Sequence, residues 1–356
     1  MTHAITILAD ENIANIDDYL SHHDINVIKL KGRDINQAAI DTHRPHALLI
    51  RSVTPIHQGS IQDFGDVRFI GSATIGTDHV DTDYLAERGI SFTNAKGCSK
   101  HSVAQYVITS ILTLRPDSAH QPITLGIIGL GNIGSTLAHY VHELNWQVLG
   151  HDPFLAASAI NNSSLDDALS RSDVVSIHTP LTHTGENPTH EMLSADNLSK
   201  LKNNALLINT ARGEIVNQDE LLNNIRTKNL QAVLDVFPHE PHIDQVLLDH
   251  LDIATPHIAG YTLEGKLRGT DMIYQAFCQE FGLPVIQQIN PLLPDNPYKW
   301  PDFLAGVRSQ PGQTLNNYYD IAKDDRDLRA VANDGVHPAD FDHLRKTYNL
   351  RREWLS

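Results

Sequence analysis

A glycine triplet, an acidic residue at a set distance beyond it, and three short polar stretches hold the residue types from which chemistry could be built. Gly129-Leu130-Gly131-Asn132-Ile133-Gly134 is a G-x-G-x-x-G that closes an apolar run, Ile123–Leu130, and opens a helical pattern, Asn132–Leu144. In that context the first glycine permits a tight turn, the second lets the backbone approach a pyrophosphate, and the third lets helix and strand pack closely. The phosphates would rest on the free N–H groups and positive end of the helix beginning near Asn132. Asp152 lies 18 residues beyond Gly134, where a carboxylate at the end of the next strand accepts both ribose hydroxyls and repels a 2′-phosphate. No Arg or Lys follows it closely to accommodate that phosphate. The expected cofactor is NAD rather than NADP.

Three further stretches stand at the ends of predicted strands: Asn209-Thr210-Ala211-Arg212-Gly213, Leu234-Asp235-Val236-Phe237-Pro238-His239-Glu240-Pro241, and Thr255-Pro256-His257-Ile258-Ala259-Gly260. In an open α/β sheet the carboxyl ends of the strands form the ligand crevice. The residue types suit reversible oxidation of a 2-hydroxy acid. An Arg can clamp the carboxylate and polarise the carbonyl. A His can take the hydroxyl proton while hydride leaves for the cofactor, and a carboxylate beside it fixes the tautomer and favours the imidazolium. Each residue also has an ordinary reading, since the chain has 21 His and an Arg after a strand is commonly a surface ion pair. His239 and His242 look like a metal pair but lack further ligands at supporting spacing, so no metal is expected.

These stretches need a scaffold, and the chain predicts one. Strand-like runs (Ala4–Ala9, Ile25–Leu30, His46–Ser52, Val67–Gly71) alternate with a helical pattern at Asn12–His22. A long helix, Ser102–Leu114, then leads into a second series. Its strands are Ile123–Leu130, Trp146–His151, Asp173–His178, Ala205–Asn209 and Leu230–Val236, with helices at Asn132–Leu144, Leu165–Arg171 and Asp219–Lys228. Such alternation predicts βαβ units and parallel sheets covered on both faces. Leu263–Phe281 reads as another helix, and Pro291, Pro294, Pro297 and Pro301 as a linker or extended arm before a charged, mostly helical C-terminal segment.

The 356 residues predict two or three domains. With 27 Lys+Arg against 43 Asp+Glu, a formal charge of −16 recommends neither nucleic acid nor an anionic membrane as partner. Cys98 and Cys278 are too few for a disulfide framework and read as buried free thiols in a reducing compartment. The start MTHAITILAD lacks a signal peptide's basic region, and no run reaches the roughly 18 apolar residues of a membrane span. A cytoplasmic protein is expected.

Together, GLGNIG, NTARG, LDVFPHEP and TPHIAG, in this order, resemble the D-2-hydroxyacid dehydrogenase family. That resemblance implies Arg212 as the substrate-orienting arginine, Glu240 as the glutamate partner and His257 as the acid/base. It also places Thr179 (in SIHTPL), Asp235 and Gly260 beside the nicotinamide and its ribose, with Gly129, Gly131, Asn132, Ile133, Gly134 and Asp152 completing the cofactor site. The implied fold is α/β: two Rossmann-like, doubly wound lobes around a cleft, with a small C-terminal α+β dimerisation segment. The expected division is 1–94 with 258–285 as the substrate lobe, 95–257 as the NAD lobe and 286–356 as the dimerisation segment, with a hinge after Cys98 and near Gly260.

Further stretches resemble one branch of that family, whose members oxidise a phosphorylated four-carbon sugar acid on the route to pyridoxal phosphate. They are ITILADENI, Arg51-Ser52-Val53-Thr54, the run Gly71–Asp81, Gly260-Tyr261-Thr262-Leu263-Glu264-Gly265-Lys266, and the C-terminal DDRDLRAV and FDHLRKTYNLRREW. The branch implies a homodimer and substrate contacts at Ser52, Thr74 and Tyr261. Charge and spacing add Arg51, Lys266 and Arg268 as candidate cations for the phosphate. The chain departs from the branch pattern at Lys96, Gln105 and Ile75, and ends soon after Trp354. Two other readings stay open: another D-2-hydroxyacid dehydrogenase, of phosphoglycerate or hydroxypyruvate type, and a non-catalytic NAD-sensing protein on the same fold.

Overall fold

The computed structural model describes residues 5–156 and 159–354; Ala4, the expected start of the first strand, lies outside the described residues. The chain divides into two compact units, Met1–Ser99 with Thr262–Asp295, and Lys100–Tyr261 with Asn296–Ser356.

The first unit runs β1 (Ile5–Asp10), α1 (Ile16–Leu20), β2 (Ile25–Leu30), α2 (Gln37–His43), β3 (Ala47–Ile50), β4 (Phe69–Ser72), α3 (Thr82–Glu87) and β5 (Ser91–Asn94). Its five strands are parallel in the order β2-β1-β3-β4-β5. The helix expected over 12–22 is cut to five residues because Asn15 takes a left-handed φ of 53° directly before it. Helix α2 begins where Asn36 accepts the Ala39 N–H, and α3 where Asp81 accepts the Tyr84 N–H.

The second unit runs α4 (Lys100–Leu114), β6 (Thr124–Ile128), α5 (Asn132–His142), β7 (Gln147–His151), α6 (Leu165–Ser170), β8 (Val174–Ile177), α7 (Ala195–Leu198), β9 (Leu206–Asn209), α8 (Gln218–Lys228), β10 (Gln231–Leu234), α9 (Gln245–His250) and β11 (Ile253–Ala254). Its six strands are all parallel, ordered β11-β10-β9-β8-β6-β7. Alternate residues of one strand enter opposite cores: Leu206 and Ile208 join one cluster, Leu207 the other. This is how a parallel sheet covered on both faces is recognised.

Helix α10 (Leu263–Phe281) belongs to the first unit, packing Tyr274 and Phe277 against Tyr19 and Phe69. The C-terminal residues fall with the second unit as α11 (Trp300–Ser309), α12 (Pro311–Tyr319), α13 (Ile321–Val331) and α14 (Pro338–Thr347), with an antiparallel bridge from Val336 to Ile243. Part of the expected proline-rich arm is helical: Pro301 opens α11, where a missing N–H costs nothing. Trp354 is fixed against Tyr140 and Trp300, at ring-centroid distances of 5.5 and 4.7 Å.

Candidate active site

In the second unit the chain steps from β6 to β7 on one side and to β8 on the other. That reversal opens the crevice in which an open α/β sheet binds ligands. The glycine loop sits there. Gly129 has φ +92°, and a Cβ on it would lie 2.8 Å from the His178 carbonyl and 3.0 Å from Thr179 Cγ2, so glycine is required twice over. A Cβ on Gly134 would stand 2.0 Å from the Gly129 oxygen, which is why α5 can begin so close to the strand end. At Gly131 nothing lies within 4 Å of that position. Asp152 follows β7 with Oδ2 accepting the Leu130 N–H at 3.1 Å and Oδ1 the Phe154 N–H at 3.1 Å. Asn162 braces its backbone, taking the Asp152 N–H and donating to its carbonyl, both at 2.8 Å.

The three polar stretches meet at the carboxyl ends of β9, β10 and β11. Asn209, 1% exposed, ties the first loop by accepting the Ala211 N–H at 3.0 Å and donating to the Arg212 carbonyl at 2.7 Å. Gly213 brings that loop against the next, for a Cβ there would stand 2.0 Å from the Phe237 carbonyl carbon. Glu240 Oε1 accepts the Phe237 N–H at 2.8 Å and its Oε2 faces His257 Nδ1 at 2.8 Å. Burial by itself would raise the Glu240 pKa, but the His257 imidazole and these hydrogen bonds, with Arg345 adding to them, hold it below the usual carboxylate range. His257 has φ 55°, a left-handed conformation uncommon for a residue with a side chain.

Asp235 keeps that conformation in place. Its Oδ1 accepts the Thr255 hydroxyl at 2.6 Å and the Ile258 N–H at 2.8 Å, and its Oδ2 the Ala259 N–H at 2.9 Å. Thr255 is bonded in turn to the Tyr106 hydroxyl at 2.7 Å. Complete burial pushes the Asp235 carboxyl up to about 6, against the opposing pull of His257 and its donors. Both carboxylate oxygens are thus bonded to protein. Gly260 and Tyr261 continue the same turn, Tyr261 donating its N–H to the Ile258 carbonyl at 2.8 Å.

Three residues outside the expected set belong to this constellation: Asn209, Thr255 and His178. Asn209 and Thr255 lie inside stretches the sequence singles out, but only the hydrogen bonds separate them from their neighbours. His178 directly follows β8 and is half-buried, with its nitrogens 2.9 Å from Ser176 Oγ and 3.3 Å from Thr210 Oγ1. Burial lowers its pKa to about 3 and keeps it neutral.

In the first unit Ser52 and Thr74 each stand two residues beyond adjacent strands, β3 and β4. Thr74 Oγ1 is 2.9 Å from Ser72 Oγ. Of the candidate phosphate cations, Arg268 donates to the Cys98 carbonyl, Lys266 lies in the first turns of α10 and Arg51 follows β3. Cys98 and Cys278 are free and buried. Among the described residues no group of three His, Cys, Asp or Glu side chains is placed to hold a metal, His239 and His242 included.

The nucleotide end of the crevice fits NAD on this chain's own atoms. Gly131 leaves the space a pyrophosphate needs, and the carboxylate of Asp152 stands at the β7 end beside the loop. Thr179 Oγ1 is buried without a hydrogen-bond partner among the described residues, a donor left over for a ligand.

Residues 114–259 match the NAD-binding domain of the D-isomer specific 2-hydroxyacid dehydrogenases, and residues 308–356 match a domain of unknown function, DUF3410. The chain is 50% identical to the erythronate-4-phosphate dehydrogenase of Psychrobacter sp. (strain PRwf-1), with 99% of each chain covered. It is 43% identical to that of Acinetobacter baumannii (strain ACICU), with 98% of each covered. Its fold is similar to NAD+-bound 3-phosphoglycerate dehydrogenase from Entamoeba histolytica, with TM-score 0.66 and 22% identity over 81% of this chain and 99% of that one.

Proposed function

The chain belongs to the D-2-hydroxyacid dehydrogenase family, alongside its erythronate-4-phosphate dehydrogenase relatives, and we propose from that premise that it oxidises 4-phospho-D-erythronate at C2. The product is (R)-3-hydroxy-2-oxo-4-phosphooxybutanoate, NAD+ becomes NADH, and the step serves pyridoxal 5′-phosphate biosynthesis. The observation that carries the reading is the His257–Glu240 pair at 2.8 Å, set at the carboxyl ends of the NAD-binding sheet.

With its Nδ1 engaged by Glu240, His257 has Nε2 left to accept the C2 hydroxyl proton. Bound NAD+ supplies the acceptor for the hydride that leaves the same carbon. Glu240 stays ionised and stabilises the imidazolium that forms. Arg212 orients the substrate carboxylate with its planar fork. Ser52, Thr74 and Tyr261 are the proposed contacts to the rest of the substrate, whose hydroxyls suit their own. A site that hydrogen-bonds hydroxyls rejects analogues lacking them. Gly129, Gly131, Asn132, Ile133, Gly134, Asp152, Thr179, Asp235 and Gly260 form the proposed cofactor set.

A homodimer is part of this reading, on the resemblance of the C-terminal segment to the branch's dimerisation segment. So is a cytoplasmic location, supported by two free thiols; among the described residues no helix is long and apolar enough to cross a membrane.

The test is hydride transfer, followed by nicotinamide absorbance, with 4-phosphoerythronate and 3-phosphoglycerate side by side and a 2-oxo acid present to reoxidise bound cofactor. Turnover restricted to phosphoerythronate supports the assignment, and preference for phosphoglycerate retires the substrate while keeping the chemistry. No turnover with either moves the chain to the NAD-sensing reading. His257→Gln should lower turnover by about two to four orders of magnitude, and near-parental activity would remove His257 from the acid/base role.

A further inference from the structure

The segment 308–356, which matches a domain of unknown function, reaches the catalytic turn of its own chain. Arg351 is 9% exposed, and its guanidinium lies 4.3 Å from the centroid of the Tyr319 ring. Its Nη1 donates to the Ile258 carbonyl at 2.9 Å and the Tyr261 carbonyl at 3.4 Å; its Nη2 donates to the Ala259 carbonyl and, at 3.2 Å, to the Ser102 carbonyl on α4. One side chain thereby holds three of the four carbonyls that follow His257. The arginine is itself fixed. Nη1 also meets the Tyr348 hydroxyl at 3.4 Å, and the hydroxyls of Tyr348 and Tyr319 each donate to Asp324 Oδ2 at 2.9 Å. Nearby, Gln105 donates to the Arg352 carbonyl at 3.2 Å, anchoring the tail to α4. A second arginine of the segment, Arg345 on α14, stands 5.5 Å from the Tyr261 ring centroid.

We propose that this C-terminal segment is a working part of the active site in its own chain, with Arg351 as the positioning residue that fixes the 257–261 turn. Asp235 binds the N–H groups of Ile258 and Ala259 while Arg351 binds their carbonyls, so both residues are held by N–H and by C=O, and the peptide unit between them from both sides. A turn held this way keeps His257 in its left-handed conformation with Nδ1 on Glu240, and keeps the Tyr261 ring in place. A guanidinium can do this because it is planar, permanently charged and presents several donors in a fixed fork.

The inference rests on His257 as the acid/base, so His257→Gln is measured in parallel. In the full-length enzyme, Arg351→Met should lower kcat by about 10²-fold, the scale of a misplaced catalytic group. The Kd for NADH, set mainly by the glycine loop, should stay within about threefold, and Arg351→Lys should recover part of the lost kcat. An unchanged kcat in Arg351→Met overturns the proposal. So does a joint loss of kcat, NADH binding and thermal stability, which would mark a general folding role. Should the Arg351 variants fail to fold, Tyr348→Phe removes one hydroxyl from the network; a kcat decrease with NADH binding intact supports the proposal and a parental kcat refutes it. If His257→Gln retains activity, the acid/base reading fails first, and the two failures are told apart.

Discussion

His257 Nδ1 stands 2.8 Å from Glu240 Oε2, and the other oxygen of that carboxylate takes the Phe237 N–H at the same distance. Glu240 is therefore aimed, not merely near. Its pKa in the folded protein lies below the ordinary glutamate value of 4.5, so its contribution to stability is present above that value and is lost as pH falls through the lower folded pKa. Glu240→Gln keeps the shape but removes the charge. Thermal unfolding followed between about pH 5 and 3 should show a shallower loss of stability in the variant than in the parent. Turnover at neutral pH should fall by about ten- to a hundredfold, as the imidazolium loses its counter-charge. Equal acid sensitivity and equal turnover would show that the pair is not coupled.

Asp235 works in the opposite direction. Its folded pKa is raised from 3.8 to about 6, so over that interval the folded state holds more protons than the unfolded one. Stability from this group is greatest below the unfolded value and declines as pH rises to about 6. Asp235→Asn should abolish that decline, because nothing is left to ionise. It should also lower stability by about 1–3 kcal/mol, since an amide NH2 would face either the Ala259 N–H or the donors now served by Oδ1. Chemical denaturation at several pH values between about 4 and 7 separates the two effects. A variant with the parental pH slope would place the charge elsewhere.

How much of this was legible beforehand depends on what each feature needs. Buried parallel strands are continuous apolar runs, so ALLI, TLGII, VVSI and LLIN stand out of the sequence. Strand β5 does not, because SFTN is largely half-exposed and has no such run. Helices α2 and α3, of seven and six residues, are too short for a 3.6-residue period to register. The glycine loop and Asp152 are readable because their spacing is set within a single βαβ unit. The hydrogen bond of Glu240 to His257 spans 17 residues and depends on the register of β10 with β11. The Arg351 clamp spans more than 90 residues, and nothing local distinguishes that arginine from Arg352 beside it. His178 is one of 21 His, and its neutrality follows from burial alone.

Asp152 is the residue proposed to set the cofactor preference. Its carboxylate is held by the Leu130 and Phe154 N–H groups at the end of β7, a position where a 2′-phosphate would meet negative charge. Asp152→Ala should raise the KM for NAD+ and narrow the preference for NAD+ over NADP+, measured as the ratio of kcat/KM values. An unchanged ratio would sink the ribose assignment.

Gly213 offers the sharpest steric test. A Cβ there would meet the Phe237 carbonyl carbon at 2.0 Å, its oxygen at 2.3 Å and the Pro238 nitrogen at 2.3 Å, all backbone atoms that no rotamer change can move. Gly213→Ala must therefore push apart the loop carrying Arg212 and the loop carrying Glu240. Overpacking of this kind costs about 1–3 kcal/mol, readable as a lowered denaturation midpoint. The displaced loops should also cost turnover about 10²-fold, the scale of a misplacement near 1 Å. The glycine loop and Asp152 stand at the ends of β6 and β7, away from β9 and β10, so NADH affinity should hold. Parental turnover in a folded Gly213→Ala variant would mean that the two loops do not need this contact to place Arg212 and Glu240.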